Sequence, residues 1–266
     1  MRSGLFAEDS ITRRVNRENI LLLGGGRALL MQLAHPQVAA GVDEHSDFRA
    51  HPIRRLRRTI RMTMAIVFGD RQTALAAARR VNQVHAKVQG RDYRALDPDL
   101  LLWVYVTLAD TALVTYETFV QPLLPDERET FHEEFKLLGE LLGIPRDRFP
   151  STVGDFDEYL EEMVSSGPVR VGERARELAA QVMQPRVRLL SGPMMLPLNV
   201  ITTGLLTPAL REQYGLPWGR GQQRAYKLAV AVLPRLIALT PPLLRVWPLP
   251  GRSLVFTPSG RATTTS

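Results

Sequence analysis

The chain contains no cysteine among its 266 residues. This absence excludes disulfide bonds, thiolate metal ligands, iron–sulfur clusters, cysteine-ligated haem and thiol nucleophiles. Any metal that the protein holds must therefore take ligands other than thiolate.

Lysine is nearly as scarce, because all but three of the 34 basic residues are arginine. The formal net charge is +7, and basic chains often bind nucleic acid. Here, however, acidic residues are interspersed with the basic ones and aromatic residues make up only 7%. We therefore expect no nucleic-acid partner, and GC-rich codons are the simpler explanation for the excess of arginine.

Strand signals are also missing, since alternating β-branched runs bounded by turn residues do not occur, whereas helical spacing recurs along the chain. No linker divides the chain, so we predict one all-α domain over residues 1–266, with a proline-rich helical part at 192–257 and a tail at 258–266. The main predicted helices are Arg27–Ala40, Pro52–Phe68, Arg71–Val88, Asp99–Phe119, Asp126–Leu142, Pro208–Tyr214 and Gly219–Leu239.

Long uninterrupted apolar segments are absent too. Residues 1–16 mix arginines with acids and contain no secretory signal. The two most apolar stretches, Leu100–Val120 and Leu228–Leu244, are both interrupted by charged residues, and neither is a convincing membrane span. We therefore expect a cytoplasmic protein. A peripheral membrane contact stays open, because Val246–Phe256 mixes apolar residues with arginine.

A run of three glycines, Gly24 to Gly26, stands before Arg27 and invites comparison with a phosphate-binding loop. Such a loop needs a preceding strand and a Gly-Lys-Ser/Thr ending, and neither is found here. The favoured interpretation is a tight turn or a close approach between helices, which missing side chains permit.

His85 has the most apolar surroundings of the five histidines. Val81, Val84 and Val88 share its helical face at steps of three or four residues, so the imidazole is expected to turn inward. Such a histidine is either a hydrogen-bonded core residue or a ligand. As a ligand, one neutral nitrogen in an apolar helical pocket suits haem iron, which needs a single protein ligand.

Arginines crowd the predicted helix that precedes His85. Such a run is usually a solvated face. Arg55 and Thr59 are four residues apart and share a stripe, with Arg58 beside them. Packed against a helix that presents His85, this stripe would form a sandwich in which arginine pairs with haem propionates and Thr59 hydrogen-bonds an iron-bound oxygen ligand.

Short motifs follow one another in order from residue 19 to residue 164. They are GGRALL at 25–30, LAHP at 33–36, VAAGV at 38–42, HS at 45–46, FGD at 68–70, VN at 81–82 with His85, DP at 97–98, LLWV at 101–104, YE at 116–117 and LLG at 141–143. No single motif is specific, but the ordered set resembles the bacterial and fungal oxygenase family that includes rubber oxygenase (latex-clearing protein) and the MpaB oxygenase.

The resemblance implies a globin-like helical core that holds a b-type haem and uses dioxygen to cleave carbon–carbon double bonds in isoprenoid chains. It implies that His85 is the iron ligand, that Arg58 and Thr59 lie on the opposite side of the haem, and that Arg55 is a further pocket arginine. His35 is shared with many relatives and would line the pocket or cap a helix.

The chain also departs from the rubber oxygenases. They have lysine where Arg58 falls and arginine where Asn82 stands, and arginine is a poor iron ligand because it stays protonated. They also carry a secretion signal, so rubber itself is not expected as the substrate. The leading hypothesis is a haem b-dependent oxygenase that uses dioxygen on an apolar small molecule or lipid.

Two other hypotheses remain open. In the first, the protein is a non-catalytic helical module that binds a lipid or membrane surface through Arg245, Trp247 and Arg252. In the second, His35 and His45 hold a non-haem metal with nearby acids in a predicted polar loop and support hydrolysis, although their spacing matches no standard metal site.

Overall fold

The computed structural model describes residues 4–46, 52–184 and 195–247, and of residues 52–56 it describes the backbone alone. Within these ranges β-pairing is limited to three isolated bridges, so the all-α prediction is confirmed. The helices are α1 Ile11–Asn16, α2 Gly25–Ala34, α3 Pro36–His45, α4 Pro52–Phe68, α5 Arg71–His85, α6 Pro98–Phe119, α7 Pro125–Leu141, α8 Val153–Ser165, α9 Glu173–Met183, α10 Met195–Leu205, α11 Pro208–Tyr214, α12 Arg220–Leu239 and α13 Pro242–Arg245, with 3₁₀ turns at Asn19–Gly24 and Arg146–Arg148.

The central element is α6, which packs against α1, α2, α7, α12 and the first 3₁₀ turn. Asp97 caps its N-terminus by accepting a hydrogen bond from the Asp99 amide, and Pro98 occupies the first turn, where its missing N–H costs nothing. The helix is long and apolar enough to cross a membrane, yet 72% of its most apolar window is buried inside the protein. Its hydrophobicity is therefore that of a core helix.

The predicted helix over Arg27–Ala40 is in fact two helices, and that prediction was wrong. The backbone of His35 is extended, with φ −80° and ψ 121°, so α2 ends at Ala34. Pro36 then begins α3 at its first position. The residue before proline is disfavoured in the helical region and proline cannot donate a backbone hydrogen bond, so the chain restarts its helix there.

The glycine run allows helices to approach closely, as the second interpretation of its sequence predicted. A Cβ atom on Gly24 would lie 2.4 Å from Oγ1 of Thr115 in α6, and one on Gly26 would lie 2.4 Å from Oγ1 of Thr202 in α10. The start of α2 therefore lies directly on two neighbouring helices, with no room for side chains at these positions.

The helices α4 and α5 form a hairpin. Gly69 and Asp70 join them, and the Asp70 side chain caps α5 by accepting a hydrogen bond from the Thr73 amide at 2.8 Å. Because so short a connection reverses the chain, the two packed helices run antiparallel. Alanines on the inner face of α5, Ala74 and Ala78, are buried and let α4 pack close.

Candidate functional site

The α4–α5 hairpin carries four of the five predicted site residues. Arg55, Arg58 and Thr59 lie in the N-terminal half of α4, and His85 is the last residue of α5. Because the helices are antiparallel, the start of α4 lies beside the end of α5. We call residues 55–62 of α4 together with 81–85 of α5 the open end of the hairpin.

His85 continues the inner stripe of α5. It follows Ala74, Ala78 and Val81 at helical steps that place all four on one face. The two alanines are buried, whereas Val81 and His85 are half-buried. Val84, which was predicted on the same face, is 40% exposed at the rim of the interface. The imidazole thus lies where the helix interface begins to open to solvent.

The inner face of α4 likewise becomes more exposed to solvent towards the open end of the hairpin. Ile66 is buried, Met62 and Thr63 are half-buried, and Thr59, two turns before Ile66 on the same face, is exposed. A face that is covered at one end and uncovered at the other leaves space beside the open end of the hairpin.

Helix α4 carries three exposed arginines, Arg57, Arg58 and Arg61, that have no acidic partner in the described parts of the chain. Elsewhere the protein does pair exposed arginines, as in the 2.7 Å contact between Arg146 and Glu133. The open end of the hairpin is therefore a cationic region able to receive an anionic group. The side chain of Arg55 lies outside the described residues.

His35 is not part of the hairpin and lies at the junction of α2 and α3. Its carbonyl accepts the first hydrogen bond of α3 from the Ala39 amide at 2.9 Å, and its side chain is buried. Burial lowers the pKa of the His35 imidazole, and the nearby charge of Asp97 opposes this only in part. The structure thus brings four predicted residues together on one hairpin and leaves His35 as a neutral residue at a helix break.

In the proposed hydrolytic site, His45 and its neighbouring acid Glu44 are engaged by protein groups. His45 hydrogen-bonds the Gln89 carbonyl at 3.0 Å, and Glu44 accepts a hydrogen bond from the Tyr93 hydroxyl at 2.6 Å and pairs with Arg174. No group of three potential metal ligands occurs among the residues that the structure describes. His51 and Asp47 lie outside those residues.

A cleft of about 540 Å³ opens elsewhere on the surface. It lies between the start of α6 and the segment that precedes α8, and it contains none of the predicted site residues. Its lining includes Asp99, Leu102, Asp147, Arg148, Phe149 and Tyr159.

Sequence reasoning missed a pair of oppositely charged residues buried between α2 and α6. Arg27 is 2% exposed and pairs with Asp110 of α6, with 2.6 Å between Nη2 and Oδ2. It also donates to Oγ1 of Thr111 at 2.8 Å and to the Leu205 carbonyl at 2.7 Å. Asp110 lies within the most apolar helix of the sequence. Because a buried charge requires a partner, its position could have predicted a buried ion pair.

Comparison with known protein families assigns the chain to one family. Residues 12–235 match the catalytic domain of the family described as ER-bound oxygenase mpaB/B'/Rubber oxygenase. The match spans most of the chain, which therefore belongs to this oxygenase family. The predicted resemblance is confirmed, and the match also takes in most of the C-terminal helices. Neither the curated proteins nor the solved structures give a significant match.

Proposed function

We propose that the protein is a haem b-dependent oxygenase, that its haem would bind at the open end of the α4–α5 hairpin, and that His85 would hold the iron. The observation that carries the proposal is the hairpin itself. In a member of an oxygenase family, it brings one half-buried histidine beside an exposed threonine of the inner face of α4, on a helix whose exposed arginines have no acidic partner among the described residues.

The side chains at the open end fit the chemistry of haem. Haem iron needs one protein nitrogen, and His85 supplies an imidazole at the edge of a helix interface. The two propionates are carboxylates, for which guanidinium groups are the favoured partners, and Arg57, Arg58 and Arg61 are exposed and unpaired within the described chain. Met62, Val81 and Val84 provide apolar surface beside them.

Bound haem would supply activation of dioxygen, and the protein would control its surroundings. His85 lies half-buried at the end of the interface in which α5 packs on α4. The hydroxyl of Thr59 is a hydrogen-bond donor on the inner face of α4 and could orient dioxygen within the site. Arg58 stays protonated and provides positive charge without competing for the iron. The apolar rim favours a substrate such as an unsaturated isoprenoid or lipid.

Two measurements test this function. The reduced pyridine haemochrome spectrum of the purified or haemin-reconstituted protein should show a b-type haem. Incubation with a short isoprenoid under ¹⁸O₂ should then give labelled carbonyl products, and the number of labelled oxygens separates dioxygenase from monooxygenase chemistry. A protein that takes up no haem after reconstitution contradicts the proposal, and a haem protein that yields no oxygenated product contradicts the substrate class.

A further inference from the structure

The net charge of the protein is concentrated in its C-terminal part. Glu212 is the last acidic residue of the sequence, and seven basic residues follow it, from Arg220 to Arg261. They carry the whole formal charge of +7, so residues 1–212 are balanced overall. Most of these basic residues lie on or just after α12.

The helix α12 has one face against the protein. Tyr226, Leu233 and Ile237 pack on a cluster formed by Phe119 of α6 with Ile201 and Leu205 of α10. This contact accounts for one side of the helix only, since no residue of α12 is fully buried.

A second face of α12 presents apolar side chains to solvent. Leu228, Val232, Leu236 and Leu239 recur at steps of four, four and three residues, which places them in one stripe. Leu228 is 64% exposed and Leu239 is 82% exposed. The apolar surface continues at α13, where Leu243 is 91% exposed.

A third face is basic and borders the apolar stripe. Arg224, Lys227 and Arg235 are exposed and share one side of the helix, with Arg220 one turn before Arg224. No carboxylate in the described ranges pairs with any of them, and α12 itself has no acidic residue. The exposed surface of α12 therefore combines a leucine stripe with an uncompensated row of positive charge.

We propose that this surface of α12 binds an anionic lipid membrane. Helices with a large apolar face bordered by arginine and lysine lie in the interfacial region of a bilayer, where leucines enter the acyl boundary and basic side chains meet lipid phosphates. The positive charge of the α12 surface is complementary to the negative charge of anionic lipids, which favours a membrane as the binding partner. A second copy of the chain would instead place two basic rows against each other.

The proposed membrane-binding surface on α12 differs from the residues that the sequence suggested, which were Arg245, Trp247 and Arg252. Arg245 donates from Nε to Oε2 of Glu18 at 2.7 Å, and the Trp247 amide donates to the Arg17 carbonyl at 2.9 Å. The charge of Arg245 is thus neutralised within the protein. Arg252 lies outside the described residues.

Vesicle co-sedimentation of the full chain tests the proposal. Binding is expected to vesicles that contain phosphatidylserine, to be weaker with phosphatidylcholine alone, and to fall as salt rises. The variant L228Q/L236Q should lose at least tenfold in binding. Its matched control, L124Q/L196Q, changes two leucines that are 66% and 63% exposed elsewhere, and it should bind like the wild type.

The charged row has its own control. R224Q/K227Q should lose binding to anionic vesicles, whereas R91Q/R170Q, which removes two exposed arginines elsewhere, should not. Absence of wild-type binding, or equal loss in the control variants, overturns the proposal.

Two further outcomes would identify a different occupant of the face. A dimer that L228Q/L236Q dissociates would assign the face to a second copy. Binding that appears only after truncation at Trp247 would assign it to residues 248–266. None of the substituted residues lies on α4 or α5, so a failure here leaves the haem proposal untouched.

Discussion

Arg27 of α2 and Asp110 of α6 form a buried ion pair, with 2.6 Å between Nη2 and Oδ2. The same guanidinium donates to Thr111 and to the Leu205 carbonyl, so a single side chain links α2, the central helix and the end of α10. Gly24 and Gly26 make this possible, because they bring α2 close enough for Arg27 to reach its partners.

Removing one member of this pair should destabilise the protein strongly. In Arg27→Ala, Asp110 remains as a buried charge without its partner, and we expect the free energy of unfolding to fall by about 3–5 kcal/mol. Denaturant unfolding followed by circular dichroism measures this. Arg174→Ala, which removes an exposed arginine paired with Asp43 and Glu44, should cost less than about 1 kcal/mol. Similar losses in both variants would contradict the assigned role of Arg27.

Gly26→Ala should also lower the free energy of unfolding, because its Cβ would lie 2.4 Å from Oγ1 of Thr202. A loss of about 1–3 kcal/mol is expected from overpacking. The double variant G26A/T202A removes the clashing hydroxyl and should recover part of the loss in a double-mutant cycle. Gly221→Ala in α12, where a Cβ meets nothing within 4 Å, should be neutral or slightly stabilising.

Acid should destabilise the protein below about pH 6.5 through two buried histidines. Burial lowers the pKa of both His35 and His132, so each stays neutral in the folded protein while the unfolded chain takes up protons. The stabilisation is present above the ordinary histidine pKa of about 6.5 and is lost as the pH falls. Each contributes a slope of at most about 1.4 kcal/mol per pH unit.

The measurement is denaturant unfolding at a series of pH values. The variants His35→Gln and His132→Gln should each flatten the decline of stability below pH 6.5. A wild-type stability that does not decrease between pH 6.5 and pH 5 would refute the assignment.

Arg58→Gln should weaken haem binding by about tenfold if its guanidinium pairs with a propionate, since a charge-assisted hydrogen bond contributes about 1.5–3 kcal/mol. Haemin titration followed at the Soret band measures the change. Arg79→Gln is the matched control, because Arg79 is an exposed arginine of the same hairpin on the outer side of α5. Equal haem affinities of the two variants would show that Arg58 does not pair with a propionate.

Local features of the fold were predictable from the sequence because their causes are local. The bounds of α4 were predicted as Pro52–Phe68, from a proline at the first turn and the glycine after Phe68, and the structure has the same bounds. The cap at Asp70 fixed the start of α5 in the same way. The break at His35 was missed because the apolar spacing continues across Pro36.

Contacts between distant residues were not predictable in this way. Glu18 and Arg245 are paired although 227 residues separate them, and nothing in the spacing of either segment indicates this contact. For the same reason, the sequence suggested Arg245 as a membrane-facing residue. The grouping of His85 with Arg58 and Thr59 was suggested by the resemblance and by the order of two adjacent helices, which the hairpin brings together.

Haem ligation by His85 is the central claim, and a haemin titration of three proteins tests it most directly. The wild type and His45→Ala should each bind one haem with a Soret band, whereas His85→Ala should bind far more weakly and should regain the band when imidazole is added. Unchanged haem binding and an unchanged Soret band in His85→Ala, with circular dichroism showing that all three proteins are folded, would contradict the account.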